Sequence, residues 1–144
     1  PKGRWPGNIY ACPKPSKKEK EFGLDHLIGQ SGAQNVDRKP NSAGIQNPRA
    51  GAGRTMDTVK NTHPTVKPTG IMDFLCKLLC PPGGTILDPF AGSGTTGVSA
   101  ISNDFNCVLC ELTEEYHKLI IGRCDAAIEQ WKINNAQYKL FGNI

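Results

Sequence analysis

Long hydrophobic runs are absent from this sequence. No apolar stretch approaches the roughly 20 residues that a membrane-spanning helix needs, and the first residues lack the charged and apolar segments of a secretory signal. These absences predict a soluble, cytoplasmic protein. The 144 residues begin at Pro1 without an initiator methionine, which indicates a processed form or a partial sequence.

A cysteine framework is also absent. The six cysteines lie mostly within apolar periodic segments, which favours reduced, buried thiols; they are Cys12, Cys76, Cys80, Cys107, Cys110 and Cys124. The spacing of Cys107 and Cys110 is typical of zinc ligands, but both lie in a strand-like run, where residues three apart point to opposite faces. No second pair at ligand spacing follows. We therefore predict no metal site.

Positive charge is concentrated in the first part of the chain. Residues 1–62 contain eleven Lys/Arg and five Asp/Glu, a net charge of +6, whereas residues 63–144 have a net charge of −2. The basic part is also rich in Gly, Asn and Ser. This combination is compatible with a polyanion contact beside a folded core, although a run of charge is more often simply a solvated surface.

The basic part shows little periodicity. A short strand is predicted at residues 8–12, and one helical turn is predicted after Ser16, a favourable N-cap. Residues 29–62 show neither the period of a strand nor that of a helix, so we interpret them as a long loop. Such a loop in a compact domain is functional or mobile.

Regular patterning begins at residue 63. A helix is predicted after Pro68, a strand at 85–88, a helix at 94–101, a strand at 105–110 and a long helix capped by Thr113. The first helix has an apolar face formed by Ile71, Phe74, Leu75, Leu78 and Leu79. The last has one formed by Tyr116, Leu119, Ile120, Cys124, Ala127, Ile128 and Trp131. This alternation predicts an α/β fold with a parallel sheet. Two strands are few for such a sheet, so we expect the chain to be part of a larger domain.

A glycine-rich turn follows the first of these strands. Gly92-Ser-Gly94-Thr-Thr-Gly97 matches the dinucleotide pattern G-x-G-x-x-G, and Glu111 after the next strand stands where a ribose-binding acid belongs. A phosphate-binding P-loop sequence is absent. An NAD(P)- or flavin-dependent oxidoreductase fragment is therefore one candidate.

Asp88, just before the glycines, favours a different ligand. Beside a pyrophosphate its charge would be repulsive by roughly 1 to 4 kcal/mol. Beside the cationic ammonium of S-adenosylmethionine it would be attractive, while N–H groups at the helix start could meet that ligand's carboxylate. The charge pattern thus favours S-adenosylmethionine over a dinucleotide.

Three linked motifs resemble those of a known family. Asp88-Pro-Phe-Ala-Gly-Ser-Gly-Thr-Thr96 resembles the cofactor motif of amino-group (adenine-N6 or cytosine-N4) DNA methyltransferases. His63-Pro-Thr-Val-Lys-Pro68 precedes it, as in family members with permuted motif order. The segment Cys110-Glu-Leu112, with Tyr116 and Arg123 after it, resembles the one that follows. Residues 2–9 resemble the lead into the target-recognition region. The resemblance covers nearly the whole chain.

The resemblance implies a Rossmann-like S-adenosylmethionine-binding α/β portion at residues 63–144. Residues 1–62 would be a basic, loop-rich part of the target-recognition region. Phe90, Gly92, Gly94 and Thr95 would form the cofactor loop, and Asp88 would lie near the methionine ammonium. Glu111 would bind the ribose and Leu112 would lie against the adenine. The residues implied at the methionine end are His63, Thr65 and Lys67.

One family motif is missing. These enzymes carry a catalytic Asp/Asn/Ser-Pro-Pro-Tyr/Phe/Trp tetrapeptide that holds the target amino group of a flipped base, and the sequence contains none. In the permuted order this motif precedes the target-recognition region. The resemblance therefore implies the carboxyl-terminal part of an enzyme whose catalytic portion lies elsewhere, in an N-terminal segment or a partner chain. We expect this chain alone to be inactive.

Double-stranded DNA is the partner that the resemblance implies. Cations of the basic part could supply phosphate contacts; they are Lys14, Lys17, Lys18, Arg38, Lys39, Arg49 and Arg54. A non-catalytic DNA-binding subunit remains a further alternative.

Overall fold

The structure, a computed structural model, describes residues 11–31 and 58–141, with side chains for 11–30 and 58–136. The helices and strands in these ranges are α1 (Lys17–Lys20), β1 (Gln30–Ser31), β2 (Thr58–Val59), α2 (Thr69–Leu79), β3 (Thr85–Asp88), α3 (Thr95–Ser102), β4 (Asn106–Leu109) and α4 (Glu114–Phe141). The order of elements after residue 68 is the predicted one.

The strands β3 and β4 form a parallel pair. Their register runs from Thr85 opposite Asn106 to Asp88 opposite Leu109. Both strands therefore end at the same edge, followed by the glycine-rich turn in one case and by Glu111 in the other. The predicted parallel α/β arrangement is confirmed at this level, as a small two-stranded sheet.

Helix α3 is the centre of the described core. Residues 95–100 are all buried, and the helix packs between α2 and α4. A Cβ on Gly97 would lie 2.6 Å from Cδ1 of Leu109 and 2.7 Å from Sγ of Cys124. The third glycine of the pattern thus lets α3 approach β4 and α4 closely.

Part of the N-terminal half has more regular structure than its sequence indicated. Ser16 caps α1 as predicted, its side chain accepting from the N–H of Glu19 at 3.2 Å. The prediction of an uninterrupted loop at 29–62 is wrong near its ends, because β1 and β2 pair antiparallel through Gln30–Val59 and Ser31–Thr58. Two residues per strand are too few to give a detectable period. Most of the strand predicted at 8–12 lies outside the described residues.

Residues 11–31 lie against the second half of the chain. The carboxylate of Glu19 accepts from N and Oγ1 of Thr69, at 2.5 and 2.7 Å. Gly23 is packed so tightly on α4 that a Cβ there would lie 2.5 Å from the carbonyl oxygen of Gly122. The division into 1–62 and 63–144 remains a prediction. The described residues 11–31 of the first segment are in contact with the second segment.

Among the residues that the structure describes, two apolar surfaces are exposed. Leu87 and Val108, opposite each other in the sheet, are 65% and 51% exposed. The predicted apolar face of α2 is also largely open, with Leu78 and Leu79 63% and 77% exposed. This face was expected to pack, and in the described part of the chain it has little to pack against. Within the described ranges, no helix combines the length and hydropathy needed to cross a membrane.

Candidate functional site

The candidate site is built around the turn between β3 and α3, residues 89–94, here called the glycine loop. Gly92 and Gly94 have φ values of +56° and +76°, which side-chain-bearing residues rarely adopt. The N–H of Gly94 donates to the carbonyl of Ala91 at 2.8 Å, and the N–H of Ala91 donates to the carbonyl of Cys110 at 2.9 Å. The loop is thereby tied to the end of β4.

Asp88 organises the loop from the strand side. Its carboxylate accepts from the N–H of Phe90 at 3.0 Å and from Oγ1 of Thr96 at 2.5 Å. These bonds link the end of β3 to the first turn of α3. Asp88 therefore shapes the loop, in addition to any contact that it makes with a ligand.

Glu111 reaches the loop from the other strand. One carboxylate oxygen accepts from the N–H of Gly92 at 2.8 Å, and the other accepts from the N–H of Thr113 at 2.8 Å. These two backbone bonds, that of Thr113 first, lower the pKa of the Glu111 carboxyl. The group therefore remains ionised well into acidic solution, and each oxygen keeps a lone pair for a further donor.

His63 lies directly over the loop. Its Nδ1 accepts from the N–H of Thr65 at 3.2 Å, so the neutral ring carries its hydrogen on Nε2. Its ring contacts the Tyr116 ring edge-on, with centroids 4.6 Å apart. Burial lowers the pKa of His63, the charges of Lys67 and Arg123 lower it further, and Glu111 raises it. The net decrease favours an uncharged ring at neutral pH.

These side chains line one cavity of about 410 Å³ at the carboxyl end of the strands. It brings together eight of the ten residues predicted to bind the cofactor: His63, Thr65, Lys67, Asp88, Phe90, Gly92, Thr95 and Glu111. Four further residues also line it and were not predicted: Met72, Ala91, Ser93 and Thr96. They are neighbours of predicted residues along the loop or on α2.

Two predicted residues lie outside the cavity lining. Gly94 has its α-carbon against α4, where a Cβ would be 3.1 Å from Cα of Ile120, so its role is in the turn. Leu112 is 99% exposed, beyond the strand end. Phe90 lines the cavity and is 87% exposed.

Arg123 was named only as part of the third motif, without a role, and it is the largest fully buried side chain of the described residues. Its Nη1 donates to the carbonyl of Ser93 at 2.7 Å and to Oγ of Ser93 and Oγ1 of Thr95, each at 3.1 Å. Burial lowers the pKa of its guanidinium. A signal was present, since an arginine interrupts the apolar stripe of α4 between Leu119 and Ala127.

The predicted DNA-binding residues are only partly described. Lys14, Lys17 and Lys18 are exposed at and before α1. The other four, Arg38, Lys39, Arg49 and Arg54, lie outside the described residues. Among the residues that the structure describes, no group of His, Cys, Asp or Glu side chains has an arrangement suited to a metal ion.

The fold and the cavity define a class: a parallel α/β unit with a glycine loop and two acids at its strand ends. Comparison with known proteins gives the family. A family model described as DNA methylase, of the N6/N4 type, matches residues 1–122. The chain therefore belongs to the amino-group DNA methylase family, as the three linked motifs predicted.

Individual relatives match parts of the chain. The type II methyltransferase M.ScaI of Streptomyces caespitosus is 35% identical over 82 residues, 56% of this chain and 27% of the relative. The DNA adenine methyltransferase YhdJ of Escherichia coli (strain K12) is 40% identical over 72 residues, 50% of this chain and 24% of the relative. The type II methyltransferase M.SmaI of Serratia marcescens is 60% identical over 38 residues, 26% of this chain and 13% of the relative. The matched region is thus a small part of each relative.

Proposed function

We propose that this chain is the S-adenosylmethionine-binding portion of an amino-group DNA methyltransferase that modifies double-stranded DNA in the cytoplasm, in a restriction-modification setting. The observation that carries the proposal is the cavity in which Asp88, Glu111 and the glycine loop meet. In a member of the DNA methylase family, such a cavity has one expected ligand, and its charges suit that ligand.

The chemistry of the lining residues fits S-adenosylmethionine. Glu111 offers ionised oxygens to ribose hydroxyls, while Asp88 supplies a negative charge for an ammonium group. Gly94, the N-cap of α3, has no side chain to cap the helix, which leaves N–H groups of its first turn for a carboxylate. Phe90 and Leu112 offer exposed apolar surface for an adenine ring. When bound, S-adenosylmethionine supplies the methyl group, and the chain's own residues hold and orient it.

The competing ligand is a dinucleotide. A pyrophosphate against the glycine loop would stand beside the carboxylates of both Asp88 and Glu111, since Glu111 accepts from the loop's own Gly92 N–H. Two negative charges at the loop oppose a doubly charged ligand more strongly than one. The site geometry therefore favours S-adenosylmethionine over NAD(P) or a flavin dinucleotide.

Calorimetry with S-adenosylhomocysteine and NAD tests the proposal. We expect binding of the first only, and an affinity about ten- to a hundredfold weaker in E111A, because this change removes charge-assisted hydrogen bonds to the ribose. E114Q is the matched control, since it removes an exposed acid in the first turn of α4 that lies outside the cavity. Binding of NAD alone would overturn the proposal.

DNA contact is proposed for the basic part of the chain. Lys14, Lys17 and Lys18 are exposed on one short segment, where they can reach phosphates without reading sequence. Replacing all three by Gln should reduce the slope of log affinity against log salt by about 0.9 for each phosphate that these lysines neutralise. K77Q, on α2, is the control. An unchanged slope would remove these lysines from the DNA surface.

The proposed enzyme needs a further portion. The catalytic tetrapeptide is absent from the sequence, and the sheet face at Leu87 and Val108 is open. We propose that a catalytic portion, in the same polypeptide or a partner chain, supplies the tetrapeptide and covers apolar surface of this kind.

A further inference from the structure

Arg123 is hydrogen-bonded to the glycine loop on the side that faces away from the cavity. It is 0% exposed, and its guanidinium has contacts on two sides. Nη1 bonds to Ser93 and Thr95, which line the cavity on their other side. Nη2 donates to the carbonyl of Glu19 in α1 at 3.5 Å. One buried side chain thus joins the cavity wall to α1.

In the described part of the chain, the guanidinium of Arg123 is not paired directly with a carboxylate. Its Nε has no hydrogen-bond partner among the described residues. The charge of Glu19 acts on Arg123, but the Glu19 carboxylate is hydrogen-bonded to Thr69 and not to the guanidinium. A buried cation whose hydrogen bonds go only to neutral oxygens is incompletely compensated, so an anionic group on the far side of Ser93 and Thr95 would be attracted to it.

The contacts also set the direction of two hydroxyl groups. Oγ of Ser93 and Oγ1 of Thr95 both accept a hydrogen from Arg123. An oxygen that accepts from a cation keeps its own hydrogen free to donate, and the donor is strengthened by the charge. Both residues therefore become donors suited to an anionic oxygen.

We propose that Arg123 is a positioning residue that, through Ser93 and Thr95, adapts the glycine loop to the carboxylate of its ligand. This inference rests on the proposed function, because it assigns a residue to one end of S-adenosylmethionine. If Arg123 only stabilised the fold of the site, its loss would weaken the binding of ligands with and without a carboxylate equally. If it acts through its charge, its loss weakens only the contribution of the carboxylate to binding.

The test compares two ligands that differ only in this group, S-adenosylmethionine and its decarboxylated form. Affinities are measured by calorimetry for the 144-residue chain and for R123M, R123K and T95V. We expect R123M to weaken S-adenosylmethionine at least tenfold and the decarboxylated ligand by less than threefold. R123K should recover part of the loss. T95V keeps the arginine and the side-chain volume. It should show the same selectivity, and it therefore tests the proposal even if R123M does not fold.

The outcomes separate the two proposals. Equal losses for both ligands in R123M or T95V, or no loss for either, would overturn the role of Arg123 and leave the proposed function intact. A wild-type chain that binds neither ligand would overturn the proposed function and this inference with it. In both cases circular dichroism spectra of the variants show whether the fold is retained.

Discussion

Gly92 and His63 occupy adjoining space in the cavity wall. An ideal Cβ on Gly92 would lie 2.8 Å from Nε2 and 3.2 Å from Cε1 of His63, and the backbone there has a φ of +56°. Any side chain at this position therefore meets two obstacles, the left-handed backbone and the imidazole ring. The position of the His63 ring therefore depends on the absence of a side chain at residue 92.

The first prediction concerns this pair of residues. G92A should abolish most S-adenosylhomocysteine binding, because the new methyl group displaces His63 and the left-handed conformation costs a further 1–2 kcal/mol or so. G83A is the matched control, since Gly83 has a φ of +72° with nothing within 4 Å of its Cβ position. It isolates backbone strain and should leave binding unchanged. Wild-type affinity in G92A, measured by calorimetry, would contradict this account.

The second prediction concerns the protonation of His63. Burial lowers the pKa of its ring in the folded chain, so the unfolded chain takes up a proton first as the pH falls. The contribution of the neutral ring to stability is therefore complete above about pH 6.5 and decreases as the pH falls from there through the folded-state pKa. Thermal unfolding from pH 8 to 5 should show this decrease.

H63Q should flatten part of that decrease, while H26Q, which removes a histidine outside the cavity, should leave it in place. An H63Q profile parallel to that of the wild type would mean that His63 does not titrate in this range.

At the scale of elements, α1 caps α2. The N-cap of α2 is Pro68, which has no side chain able to cap, and the carboxylate of Glu19 accepts from the first helical N–H at 2.5 Å instead. Burial raises the pKa of Glu19, but the bonds from Thr69 and Ser16 and the charge of Arg123 lower it by more. The cap is therefore ionised at neutral pH.

The third prediction follows from this contact. E19A should lower the free energy of unfolding by about 0.5–2 kcal/mol, the usual cost of removing a helix cap. The control is E129A, which removes an exposed acid paired with Lys132 at 2.8 Å and should have a small effect. Because the folded-state pKa of Glu19 is lowered, its contribution is complete above about pH 4.5 and is lost as the pH falls through the folded value. Urea unfolding measures both effects.

The elements that the sequence predicted correctly are those with local signals. Periodicity, the cap at Ser16 and the stop at residues 80–84 all act within a few residues. They predicted α1, α2, β3, α3 and β4 to within one or two positions, and the start of α4. The cap of α2 by Glu19 joins residues 50 apart and has no local signature. The same holds for the two-residue pairing of β1 with β2.

The proximity of the predicted site residues could be inferred from the sequence for a related reason. Asp88 is the last residue of β3 and Glu111 lies two residues after the end of β4, so the parallel register of the sheet brings them to the same edge. Arg123 binds the loop across 30 residues, and only its position on an apolar stripe indicated burial. Adjacency in sequence was not enough to predict the position of Leu112. Glu111 lines the cavity, whereas Leu112, the next residue, lies on the surface of the chain.

At the scale of the whole molecule, the exposed apolar surfaces and the absent tetrapeptide both favour a chain that is part of a larger structure. A parallel sheet is normally covered on both faces, yet Leu87 and Val108 are mostly exposed, as are Leu78 and Leu79 on α2. The matched region is 27% of M.ScaI and 24% of YhdJ. These observations support the proposal that the chain joins a larger structure.

The last prediction concerns activity. With radiolabelled S-adenosylmethionine and double-stranded DNA, the 144-residue chain should transfer no methyl group, because it contains no Asp/Asn/Ser-Pro-Pro-aromatic sequence to hold a target amino group. Cys80-Pro81-Pro82-Gly83 has the prolines without the acceptor or the aromatic ring. The same preparation should bind S-adenosylhomocysteine, which shows that inactivity does not come from a damaged cofactor site. Label in DNA above that of a heat-denatured sample would show instead that other residues of this chain activate the base.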